Sequence, residues 1–132
     1  MDDTLIEELL NEDENSSLDF KRDQYQFSGA SDEEKSEIIK DILAFANAWR
    51  RTDAFILIGV EEVRGGRSIV YGTTNHLLEQ NIQQLVNSKT NRPIEFSYRI
   101  FPFEGKQIGV ICIPIQDRPF YLTHLTQYTC TH

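Results

Sequence analysis

Seven consecutive apolar residues, Ala54 to Val60 (AFILIGV), constrain this chain more than any other segment. The run is rich in β-branched side chains and shows no apolar–polar alternation, so it reads as a central strand covered on both faces. A strand of that kind needs a layer on each side, and the rest of the chain must supply both. The sequence has 132 residues, 39% apolar and 26% charged, which suits one globular domain. At this length roughly two-thirds of the unfolded surface can be buried, enough for a core without metals or disulfides.

The covering layers are legible as helical spacing. Residues 4–12 (TLIEELLNE) gather Leu5, Ile6, Leu9 and Leu10 on one face with acids opposite. Ile38, Ile39, Ile42, Leu43, Ala46 and Trp49 recur at helical intervals as far as Arg50, and the pair Ser31…Glu34 marks that helix's start as a capping box. Leu78, Ile82 and Leu85 predict a third helix over 77–86. Strands are expected at Leu18–Lys21, where apolar and charged residues alternate, and at 95–102 and 107–114 around a Glu104-Gly105-Lys106 turn. Ser68–Tyr71 is expected to return as a hairpin partner after Gly65-Gly66, Gln24–Ala30 is a loop, and Pro119–Leu122 is placed as a short edge strand. Strands adjacent in sequence without intervening helices give an α+β domain, with a mixed, mostly antiparallel sheet flanked by helices.

Charge narrows the function classes. The net charge of −8 argues against a protein that coats nucleic acid by charge alone. The distribution is uneven: residues 1–37 hold thirteen acids against three bases, and residues 38–132 hold eight acids against ten bases. The acidity therefore belongs to the front end, and the remainder can present basic patches. No apolar run approaches the ~20 residues of a membrane span, and the start Met1-Asp2-Asp3 lacks a signal peptide's basic region. Two cysteines, Cys112 and Cys130, make no disulfide framework, so a reducing cytoplasm is the expected compartment. Cys130, His132, His76 and His124 lack zinc-ligand spacing. There is no G-x-x-x-x-G-K-S/T loop, hence no ATP site, and no serine or cysteine nucleophile signature.

The residues that can carry chemistry are few. On a strand, Asp19 and Lys21 project together while Leu18 and Phe20 anchor the other face. A carboxylate beside an ammonium serves metal-assisted phosphodiester cleavage: the acid holds a divalent cation, and the lysine steadies the attacking water or the developing phosphorane charge. Glu14 can bend back as a second ligand. Plain solvation of a strand edge produces the same triplet. Glu61 and Glu62 follow the apolar strand at a position where catalytic acids commonly sit, and where polar residues also simply end a strand. Arg50 and Arg51 precede that strand, and Arg64 and Arg67 flank the turn after it. These four are nucleic-acid-binding candidates at opposite ends of a segment roughly 20 Å long. They are equally readable as solvated arginines.

Taken in order, Glu14-Asn-Ser-Ser-Leu-Asp19-Phe-Lys21, Ala44-Phe-Ala-Asn47, Phe55-Ile-Leu-Ile-Gly59-Val60-Glu61 and Arg118-Pro119-Phe120-Tyr121-Leu122 resemble the Schlafen-type AlbA-like domain over residues 14–122. The resemblance implies a mixed α/β fold used on nucleic acid, RNA more than DNA. In some members it implies a metal-dependent endoribonuclease with three acids at the positions of Glu14, Asp19 and Glu61 around Mg²⁺ or Mn²⁺. It also implies a homodimer, since the family's nuclease core pairs two such lobes. Three departures stand out: Asp19 replaces a glutamate, Ala48–Asp53 replaces a glycine pair, and residues 123–132 lack a basic, glycine-containing strand. The chain thus reads as one domain, residues 1–132, in the manner of the N-terminal part of a longer protein or of a shortened one. Three functions remain open: the metal-dependent endoribonuclease, a binding or regulatory module without catalysis, and an acidic protein-interaction domain.

Overall fold

A computed structural model describes residues 2–123. Its elements in chain order are α1 (Asp3–Leu10), β1 (Leu18–Lys21), α2 (Asp32–Asn47), β2 (Ala54–Ile58), β3 (Val60–Glu61), β4 (Ile69–Val70), α3 (Glu79–Lys89), β5 (Ser97–Phe103) and β6 (Lys106–Ile113). The main sheet runs β1-β2-β6-β5. Only β1 and β2 are parallel; β2 with β6 and β6 with β5 are antiparallel. This is the expected α+β domain with a mixed, mostly antiparallel sheet.

β2 is the central strand foreseen from its composition. Period-two alternation sends Ile56 and Ile58 to one face, where they pack with Ile38, Ile42, Ile82 and Ile111 beneath α2 and α3. Leu57 goes to the other face with Ile6, Leu10, Leu18, Phe20 and Val110 beneath α1. Each face carries a fully buried cluster, so the sheet is the middle of three layers.

The apolar run does not stay one strand. Gly59 adopts φ +97°, and a Cβ there would lie 2.8 Å from the backbone carbon of Gly72. The chain therefore leaves the main sheet at Gly59 and pairs as β3 with β4 in a separate two-stranded sheet. Glu104 (φ 52°) and Gly105 (φ 75°) form the two-residue turn between β5 and β6, the hairpin geometry that needs two positive φ values.

Three boundaries differ from expectation. α2 has the full capping box, Ser31 Oγ accepting from Glu34 N at 3.1 Å and Glu34 Oε1 accepting from Ser31 N at 3.0 Å, but it stops at Asn47 rather than Arg50. Asn47 is held from outside: its side chain donates to Phe120 O (2.9 Å) and accepts from Phe120 N (2.7 Å). α3 begins and ends later than 77–86, its last turn closed by Thr90 Oγ1 donating to Val86 O at 3.0 Å. Pro119–Leu122 makes a single bridge, Thr90 to Leu122, instead of a strand. Asn47 and Asn91 satisfy its backbone with side chains, which removes the need for a ladder. Among the described residues no helix is long and apolar enough to cross a membrane.

Candidate functional site

The acid-rich corner begins with a tight turn. Asn15 and Leu18 exchange backbone hydrogen bonds, and Asn15 Oδ1 accepts from Ser17 N at 2.8 Å, so the chain reverses within four residues. The reversal lays Glu14 back along β1, the edge strand of the main sheet. There Glu14 Oε2 accepts from Phe20 N at 2.9 Å, a donor that faces away from β2. The five-residue interval from Glu14 to Asp19 thus has a geometric basis, and it brings the two carboxyl groups into hydrogen-bonding contact. That bond with Asp19, followed by desolvation and the negative charges of Asp19 and Glu62, pushes the Glu14 carboxyl up from 4.5 to about 7, against the opposing effect of Phe20 N. The Glu14 carboxyl therefore keeps its proton well above the usual carboxylate range.

Asp19 and Lys21 project to the same side as expected, with Asp19 Oδ2 3.1 Å from Lys21 Nζ. The sequence reading missed the group opposite. Asp41, from α2, reaches Lys21 Nζ at 3.3 Å and accepts from Tyr25 Oη at 2.6 Å. Burial works against the ammonium, but Asp19 and Asp41 outweigh it and hold the Lys21 pKa above its usual value. Burial first, then the Asp41 charge, pushes the Tyr25 phenol far upward, so it remains a donor. Asp41 is three residues after the buried Ile38 and next to the buried Ile42, and a carboxylate at the margin of a buried helical face was the available signal.

The third expected acid does not join. Val60 is buried, so Glu61 points the other way, exposed, with Oε2 3.3 Å from Tyr71 Oη. Its neighbour Glu62 turns back instead, Oε2 accepting from Glu14 N at 2.7 Å. The turn at Gly59 shifts the alternation, and the acid beside Glu14 is one residue later than the motif spacing indicated. Among the described residues no three Asp, Glu, His or Cys side chains form a metal-holding group, and the acid found beside Glu14 and Asp19 is Glu62 rather than Glu61.

The sequence matches the family model described as Schlafen, AlbA_2 over residues 14–129, most of the chain. The chain belongs to this family. No curated protein matches it significantly. Among solved structures it is similar to the N-terminal domain of an ATP-dependent DNA helicase RecG-related protein from Nitrosomonas europaea. That match has a TM-score of 0.59 at 21% identity and covers 91% of this chain and 78% of that one, which establishes a shared fold. It also matches the DIP2311 protein from Corynebacterium diphtheriae at TM-score 0.49 and 18% identity, over 83% of this chain and 20% of that one.

The four arginines of this Schlafen AlbA_2 domain have different fates. Arg50 donates to the carbonyls of Phe45 (2.9 Å), Thr52 (3.0 Å), Ile113 (3.0 Å) and Pro114 (3.3 Å), so it clamps the end of α2 to β6. Arg67 is chelated by Glu7 (2.8 and 3.0 Å) and Glu104 (2.9 Å), which neutralise it. Arg64 is 86% exposed and 3.5 Å from Glu62. Arg51 is exposed, and among the described residues it forms no ion pair or side-chain hydrogen bond. The acidic front third also has local occupations. Asp2 caps α1, Asp32, Glu33 and Glu34 complement the N-terminal dipole of α2, and Asp13 Oδ1 accepts from Gly65 N at 3.0 Å.

Proposed function

We propose that this domain acts on nucleic acid as a divalent-metal-dependent endoribonuclease, with Glu14 and Asp19 as the metal-holding carboxylates and Lys21 as the cation beside the phosphate. One observation carries the reading: the Glu14 and Asp19 carboxyl groups meet on the edge strand of the sheet, next to Lys21. Mg²⁺ is usually held by one or two carboxylates, with water and substrate phosphate completing its shell, so the pair suits Mg²⁺ or Mn²⁺ without a third acid. Such a cation would supply charge stabilisation and an activated water for phosphodiester hydrolysis.

The chain's own residues do the rest. Phe20 N and Glu62 fix Glu14 from two sides, which orients its carboxyl toward Asp19. Asp19 and Asp41 keep Lys21 protonated and aimed, ready to meet a phosphate oxygen as charge accumulates on it. RNA as the preferred substrate, and a homodimer that pairs two lobes, belong to the same proposal on the strength of the family. An acidic protein-interaction role has less support, because the front-end acids are largely engaged in caps and ion pairs.

The test is cleavage of a structured RNA in Mn²⁺. The wild-type chain should cut and a chelator should stop it, while Asp19→Ala should abolish cutting with its fold retained by circular dichroism. Cutting by the variant at the wild-type rate contradicts the assignment. A second reading, binding without catalysis, is favoured by the exposed Arg51 and Arg64. It predicts affinity that falls steeply with salt and ignores chelators.

A further inference from the structure

The one tryptophan of the sequence, Trp49, is 85% exposed, although the helical spacing of α2 places it on the buried face. It lies beyond the helix because α2 ends at Asn47. An exposed indole offers a flat apolar face, with a polar N–H at its rim, to a partner. One face is already occupied: the Arg118 guanidinium lies 3.6 Å from the ring centroid. Arg118 is itself anchored, with Nη1 donating to Asn47 O at 3.1 Å. Asn47 is locked to Phe120 by two hydrogen bonds, and Arg50 fixes the following loop through carbonyls on either side. Ring and guanidinium therefore form a prearranged stack with one face of the ring open.

Beside the ring runs a groove of about 420 Å³ lined by Ser16, Ser17, Trp49, Arg50, Arg51 and Thr52. Ser16 and Ser17 belong to the same turn that folds Glu14 back, so that turn borders both the groove and the acidic corner. Arg51 supplies an exposed positive charge at its wall, and the nearby Asp53 lies against Cys112, its Oδ2 4.0 Å from Sγ. An open aromatic face with a guanidinium behind it and a cation beside it matches the repeating chemistry of a single strand, bases that stack and phosphates that are negative.

We propose that Trp49, backed by Arg118, stacks an unpaired base of a single-stranded nucleic acid while Arg51 meets the adjoining phosphate. The inference rests on the reading that this domain engages nucleic acid, and it names the form engaged. This corner lies in the Ala48–Asp53 stretch, where the sequence departs from the family pattern.

Because Trp49 is the sole tryptophan, its emission reports on this site alone. The full chain is titrated with oligo(U), oligo(dT) and a duplex, each of about twelve nucleotides, within the length single-strand sites span. The single strands should quench the indole and the duplex should not; the better of the two strands tells RNA from DNA. Trp49→Ala should weaken binding about tenfold, Trp49→Phe less, as expected for loss of one stacked base. Arg51→Ala should flatten the salt dependence by about one phosphate contact. Saturable binding that leaves the emission unchanged, or that Trp49→Ala leaves intact, overturns this site and spares the nucleic-acid reading. Equal quenching by the duplex overturns the unpaired base. Failure of the wild-type chain to bind any of the three overturns this site and leaves the nucleic-acid reading to the structured-RNA cleavage assay.

Discussion

Replacing Glu14 by glutamine should change how stability depends on pH, and the direction follows from the raised Glu14 carboxyl. The folded carboxyl is raised from 4.5 to about 7 by its bond to Asp19 and by burial. Between those values the native chain keeps a proton that the unfolded chain has released, so stability falls as pH rises through the window. The benefit is complete below 4.5 and gone above about 7. At ~1.4 kcal/mol for each tenfold change in proton affinity the displacement amounts to about 3 kcal/mol. Glu14 is largely exposed, and solvent screening reduces that to about 1 kcal/mol. Glutamine imitates the protonated acid, since its oxygen can accept from Phe20 N and its amide can donate to Asp19. The variant should therefore match the wild type near pH 4.5 and exceed it by about 1 kcal/mol above pH 7, or about 3–5 °C in melting temperature. Urea unfolding followed by far-ultraviolet circular dichroism measures this. Parallel pH profiles for the two proteins would refute the raised Glu14 carboxyl.

Other substitutions test how the site is positioned. Gly59→Ala should cost at least about 2 kcal/mol, because its Cβ would strike Gly72 at 2.8 Å from a backbone with φ +97°. Thermal melts would show it, and a loss under about 0.5 kcal/mol would mean that the hairpin moves freely. Arg50→Ala should lower stability by about 1–3 kcal/mol through the carbonyls it leaves unpaired, whereas Arg51→Ala should leave the melting temperature unchanged. Equal melting temperatures for the two arginine variants would contradict the division between clamp and exposed cation.

Features that depend on near neighbours were legible in the sequence. The capping box at Ser31 and Glu34, the alternation of Leu18–Lys21 and the two-sided burial of β2 all follow from periodicity and short-range bonding. The meeting of Glu14 and Asp19 was legible too, because a four-residue reversal fixes their approach. The choice between Glu61 and Glu62 was not. A single positive φ at Gly59 shifts a period-two pattern by one residue, and the space that demands it comes from Gly72, far along the chain. Asp41 and the Asn47–Phe120 contact likewise join distant elements: the margin of a buried helical face marked Asp41 without naming Lys21 as its partner, and the early end of α2 carried no local signal. Which of two adjacent arginines turns inward is decided by the carbonyls that β6 presents, and spacing says nothing about them.

The central claim is that Glu14 and Asp19 form a cation site, and calorimetric titration with Mn²⁺ near pH 6.5 in two buffers of different ionisation enthalpy addresses it directly. Binding that releases a substantial fraction of one proton, and that Asp19→Ala removes, is the predicted result. Absence of binding, or binding with no proton released and no loss in the variant, would contradict it.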